Sequence, residues 1–233
     1  MDWPSWLTEK RTHWRNAVRI LPSRFPTINL FERVAPPGDF AALNWVESLT
    51  NARLRQQAGE IDLIPRAERV YGPGASVIMA PFTHRGGTGS RFANAMAGAL
   101  YAARSLATAI AETRFHRERF LRLTGSPRLE LDMRIYELDI RATRCIDVRG
   151  EKARLPEIYE PDGYERSQAF AAEARKRGAE AIAYDSVRHE RGQCLAALTP
   201  RICSRVREGG HLAYVFDGER IAEVYRKAPL RPD

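Results

Sequence analysis

The sequence predicts an α+β domain built on a mostly antiparallel sheet with flanking helices. Three observations carry this expectation. Many short apolar stretches have strand composition, while only a few segments have helical spacing. Strands and helices do not follow one another in regular β-α-β order. No G-x-G-x-x-G follows a strand, which argues against a doubly wound dinucleotide-binding sheet. The 233 residues suffice for one large domain, or for one domain with an extension.

The first 27 residues read as an extension, with Trp3, Trp6 and Trp14 interleaved with Lys10, Arg11 and Arg15. They suggest either a helix docked through its tryptophans or a contact with a partner. Thr27 to Val34 has strand composition and ends at Pro36-Pro37. Asp39 to Ala58 reads as a helix, because Phe40, Leu43, Val46 and Leu49 recur at helical spacing. Residues 60–90 are rich in glycine and proline and read as irregular.

Leu100 to Ala103 should be a short buried strand. Ser105 should cap a helix running to about Arg119, with Leu106, Ala109, Ile110 and Thr113 on one face. Glu112 falls at the edge of that face, where a carboxylate looks into a cleft. Leu129, Leu131, Met133 and Ile135 alternate with polar residues, then the phase shifts to Tyr136, Leu138 and Ile140. A strand with a bulge near Ile135–Tyr136 explains the shift. Another short strand begins at Cys145. Ser167 to Arg177 reads as a helix closed by Gly178. Ala181 to Tyr184 and Cys194 to Leu198 are apolar and strand-like. His211 to Phe216 and Glu219 to Tyr225 flank Asp217-Gly218, a two-residue hairpin signal. There is no internal repeat.

Composition narrows the function classes. A hydrophobic content of 44% is ordinary for a globular protein. No run of about eighteen apolar residues exists, so nothing is expected to span a membrane. The N-terminus lacks an apolar secretory core. Cys145, Cys194 and Cys203 are odd in number and show no C-x-x-C spacing, which fits a reduced, cytoplasmic protein. The histidines are scattered, so no metal is expected. The net charge of +8 favours an acidic partner: a dinucleotide, an acidic protein or a nucleic acid. No helix-turn-helix, zinc-finger or RNP-type signature supports the last, leaving a non-enzymatic basic binding domain as an alternative.

One stretch carries chemistry. Gly86, Gly87 and Gly89 let backbone approach a ligand, and Arg91 follows with a guanidinium suited to bidentate anion binding. Gly89-Ser90-Arg91-Phe92, Tyr101-Ala102-Ala103 and Thr108-Ala109-Ile110-Ala111-Glu112 succeed one another, preceded by Phe31-Glu32-Arg33-Val34 and followed late by Tyr184-Asp185-Ser186-Val187-Arg188. This order resembles the RES family, named for an arginine, a glutamate and a serine. It runs from about Leu30 to Tyr225. One departure is visible: Asn94 stands one place later than the asparagine that usually follows the aromatic residue.

The resemblance implies a catalytic domain over residues 28–233, after an extension over residues 1–27. It implies an ADP-ribosyltransferase-like fold, with a split, bent sheet around a cleft for NAD. It implies a cytoplasmic enzyme that cleaves the nicotinamide–ribose bond by phosphorolysis or hydrolysis, as the toxin of a toxin–antitoxin pair. Transfer of ADP-ribose to an acceptor is the alternative within NAD chemistry. NAD enters as substrate and no metal is required. Glu112 would stabilise positive charge on the ribose. Arg33 and Arg91 would clamp the diphosphate, with Arg33 also near the chemistry. Tyr101 would stack on nicotinamide or bond the ribose. Ser186 would orient the ribose or the nucleophile. The implied partner is an Xre-type antitoxin, through which alone nucleic acid would be met. The tryptophan-rich extension is expected to serve assembly, possible self-association included, rather than catalysis.

Overall fold

A computed structural model describes residues 4–23, 61–83, 89–228 and 230. The expected strand at 27–34 and helix at 39–58 lie outside them, as do Trp3, Gly86, Gly87 and Arg33. Among the described residues there are seven strands and three α-helices. They run β1 (Glu9–Pro22), α1 (Ala75–Thr83), β2 (Leu100–Ala103), α2 (Leu106–Leu123), β3 (Leu129–Asp147), α3 (Glu165–Lys176), β4 (Ala181–Asp185), β5 (Gln193–Ala197), β6 (Cys203–Phe216) and β7 (Ile221–Lys227). The class is α+β, as expected. The sheet order is β1-β2-β5-β4-β3-β6-β7, and only β3–β4 is parallel.

Pairing between β1 and β3 closes the first five strands of that order into a ring, so the sheet is strongly bent. The split lies in β3. It pairs with β6 as far as Ile140, then with β4 from Cys145. Glu180 supplies the bonds that the fork removes. Its Oε2 accepts from the Thr143 and Arg144 amides and from the Thr143 hydroxyl, and its Oε1 accepts from Arg201. Backbone donors left without a ladder partner are thereby satisfied.

The two sheet faces carry separate cores, because side chains alternate along each strand. Val18, Ile20, Met133, Ile135, Ile182 and Ala196 face α2 and α3. Trp14, Ala17, Leu138, Ile140, Ala183 and Leu195 pack with α1.

Several expectations need correction. The first segment is not a docked helix or a separate extension. Residues 9–22 form β1, which pairs with β2 and with most of β3. Trp14 is buried, and Trp6 packs on the core beneath the Arg154 guanidinium. Both described tryptophans are therefore taken up inside the fold. Residues 75–83 are helical although Pro81 stands within them. That helix is buried nearly all round, so it has no amphipathic period to read. The segment at Cys145 continues β3 rather than starting a new strand.

The bulge expected at Ile135–Tyr136 is present as a register shift against β6. Ser105 caps α2, accepting from the Thr108 amide at 3.2 Å, and the helix extends to Leu123. Gly178 closes α3 with φ +81°. The β6–β7 turn spans Asp217–Arg220, with the Asp217 carboxylate accepting from the Glu219 and Arg220 amides. No helix of the described residues is long and apolar enough to cross a membrane.

Candidate active site

A cavity of about 500 Å³ opens between β1, α2 and the turn that carries Arg91. That size suits a small-molecule ligand. One face of α2 forms a wall: Ala109, Glu112, Thr113, His116, Arg117 and Phe120 recur at intervals of three and four. Among the described residues Glu112 is the one carboxylate on the lining, beside Arg19, Arg91, Arg117 and Arg188.

Ser186 follows β4 at the start of a tight turn. Its amide donates to the Gly192 carbonyl at 2.8 Å. Its Oγ accepts from the amides of Arg188 at 3.0 Å and His189 at 2.9 Å. Both lone pairs are then engaged, so the hydroxyl proton points elsewhere. It goes to Glu112 Oε1 at 2.6 Å. The same oxygen lies 3.9 Å from the Cys194 thiol. Burial, with Glu112 adding to it, pushes that thiol far above its usual range, so it stays protonated. Glu112 Oε2 has no hydrogen-bond partner among the described residues.

The turn is tied to α2 a second time. His189 Nδ1 shares a hydrogen with the Thr108 hydroxyl at 2.9 Å, and that hydroxyl meets the Ser105 cap at 2.9 Å. The motif threonine thus fixes the helix that carries Glu112 against the loop that carries Ser186.

Arg91 sits in the turn Ser90–Ala93, closed by the Ser90 amide on the Ala93 carbonyl at 2.8 Å. Gly89 has φ +78°, and a Cβ there would lie 2.3 Å from the Ala93 carbonyl oxygen, so no other residue fits. Arg91 is buried, donates to the Ile158 carbonyl at 2.7 Å and stands 5.3 Å from the Tyr164 ring. The Tyr101 hydroxyl accepts from the Phe92 amide at 2.7 Å and from Ser90 at 2.9 Å. The acceptor positions of this hydroxyl therefore pin the turn, its proton is left to donate, and the ring lines the cavity. Asn94 is also a turn residue. Its Oδ1 accepts from the Met96 and Ala97 amides.

Arg33 lies outside the described residues, but a cation that the motifs did not single out lines the cavity. Arg19, on β1, donates from Nη1 to the Tyr101 carbonyl at 3.0 Å. Its Nε is buried and has no partner among the described residues. Burial lowers its pKa to about 10, which leaves it charged at neutral pH. The available signal was an arginine between Val18 and Ile20 in an apolar strand.

Arg188, from the late motif, lies over the Phe115 ring at 3.3 Å, donates to the Pro161 carbonyl and stands 3.6 Å from Asp162. His116 stands among these cations. Desolvation by the surrounding protein, then the positive charges of Arg188, Arg117, Arg91 and Arg119, push its pKa down to about 4. It is neutral at pH 7, and the cluster is short of negative charge. No group of three His, Cys, Asp or Glu side chains that could hold a metal occurs among the described residues.

The uncharacterized protein y4oC of Sinorhizobium fredii is 28% identical over 209 residues, covering 89% of this chain and 85% of that protein. The crystal structure of the M. tuberculosis MbcT-MbcA toxin-antitoxin complex is similar over 87% of this chain and 86% of that chain, at 11% identity and a TM-score of 0.42. The family model of the RES domain matches residues 66–217, which include Arg91, Glu112 and Ser186. The chain belongs to the RES domain family.

Proposed function

We propose that this protein cleaves the nicotinamide–ribose bond of NAD and acts as the toxin of a toxin–antitoxin pair. The observation that carries the reading is the Ser186–Glu112 bond at 2.6 Å on the wall of a cavity whose other charged groups, among the described residues, are cations. A dinucleotide brings two phosphates to such a site and a glycosidic bond to such a carboxylate.

The chemistry follows from the charges. The C1–N bond of the nicotinamide ribose breaks, and its electron pair goes to the ring nitrogen. Nicotinamide leaves neutral, so no general acid is needed. Positive charge appears on the ribose, where the Glu112 carboxylate opposes it. Ser186 donates to Oε1 and holds the carboxylate in one orientation. Arg91 and Arg19 hold the diphosphate, with Arg33 as a further candidate. The Tyr101 ring offers an apolar surface to the nicotinamide. A nucleophile oxygen then takes the ribose carbon and gives up its proton to solvent.

The RES resemblance supports an Xre-type antitoxin as partner, and the cationic cavity suits an acidic segment as its plug. The reaction is tested by incubating the purified protein with NAD, with and without phosphate, and identifying products by mass spectrometry. ADP-ribose 1″-phosphate marks phosphorolysis, ADP-ribose marks hydrolysis, and a modified macromolecule marks transfer. NAD left intact under all conditions overturns the reading.

A further inference from the structure

We infer that Phe120 and the Arg117 guanidinium beside it form a base-stacking platform at the far end of the cavity, selecting an adenine dinucleotide over a mononucleotide. This rests on the NAD reading above.

The cavity is graded along α2. Glu112 and Phe120 are eight residues apart on one face, a rise of about 12 Å. Between them stand His116 and Arg117, with Arg91 and Arg188 around His116. β1 runs alongside. Its Val18 pairs with Ala103, just before α2 begins, and its Pro22 pairs with Met133, in the first part of β3 and ten residues after α2 ends. Leu21, Pro22 and Met133 line the cavity together with Phe120. The order from one end to the other is carboxylate, cations, apolar surface. A dinucleotide has the same order: a glycosidic carbon, a diphosphate and a flat apolar base.

Phe120 belongs to neither of the two core clusters among the described residues. It is 46% exposed, although it belongs to the wall of the cavity. The Arg117 guanidinium stands 5.9 Å from its ring centroid. A ring and a guanidinium presented together are a general way to hold a base without reading its edges.

The test compares ligands with and without the adenosine half, on wild type, Phe120→Ala and Phe120→Trp. Calorimetry measures ADP-ribose and ribose 5-phosphate binding, and nicotinamide release measures NAD and nicotinamide mononucleotide cleavage. Phe120→Ala should weaken ADP-ribose binding, and raise KM for NAD, by about tenfold or more. It should leave kcat, ribose 5-phosphate binding and mononucleotide cleavage within about twofold. Phe120→Trp should behave as wild type. Unchanged ADP-ribose affinity in Phe120→Ala overturns the platform, as does an equal loss for both ligands. Wild type that binds ADP-ribose through Phe120 but cleaves nothing supports the platform and overturns the NAD-cleavage reading. Wild type that binds neither ligand overturns both.

Discussion

The Ser186 hydroxyl donates to Glu112 Oε1 at 2.6 Å because two backbone amides already occupy its own acceptor positions. In the proposed reaction this serine orients a carboxylate rather than attacking substrate. Ser186→Ala should therefore lower kcat by about tenfold to a hundredfold, the size of one hydrogen bond to a charged group. KM for NAD should move little. A nicotinamide-release assay checks this, and a drop in affinity at constant kcat would instead place Ser186 in substrate binding.

Arg19 and Arg91 should each be needed for the diphosphate. Lysine keeps the charge but not the planar, two-pronged donor set. Arg19→Lys and Arg91→Lys should raise KM for NAD by about tenfold, with the larger loss of ADP-ribose affinity in the double variant. Wild-type kinetics for both single variants would remove the arginine clamp.

Anion binding should draw a proton into the site. Free His116 is held down to about pKa 4 by its surroundings and its cationic neighbours. A bound diphosphate supplies the missing negative charge and raises the pKa. Between the free and bound values the complex carries more protons than the free protein, so binding strengthens as pH falls. ADP-ribose should bind more tightly at about pH 5 than at about pH 7, and His116→Gln should lose that dependence. Affinity independent of pH in wild type would separate His116 from the ligand.

Removing residues 1–22 should destroy the fold. β1 pairs with β2 and β3 and buries Trp14, Ala17, Val18 and Ile20. Ile20→Ala alone should cost about 2–5 kcal/mol in chemical denaturation. A soluble truncated protein with native circular dichroism and thermal melting would contradict this account of β1.

The sequence made some of this legible and hid the rest for identifiable reasons. Glu112 was visible as a carboxylate at the edge of a helical face, and Ser186 and Arg91 through their motifs. β3 announced its bulge by a phase shift at Ile135–Tyr136, since a bulge reverses which residues face the core. β1 hid its alternation. Register shifts at Lys10/Thr12 and Trp14/Ala17 break the two-residue period, with Asn16 at φ +53° in the second. Arg19 was lost with it. The continuation of β3 past Ile140 rests on pairing with β1 and β4 and on Glu180, a partner 36 residues from Arg144, none of which a local pattern reveals. The motif singled out Tyr101, which lines the cavity, but only the geometry shows its hydroxyl accepting from the Phe92 amide.

The central claim is that the Glu112 carboxylate drives NAD cleavage. Glu112→Gln tests it most directly, because the amide oxygen still accepts from Ser186 while the negative charge is gone. Nicotinamide release from NAD should fall below about one-hundredth of wild type, while circular dichroism, thermal melting and ADP-ribose affinity stay unchanged. Turnover near the wild-type rate in a folded Glu112→Gln protein would contradict the account.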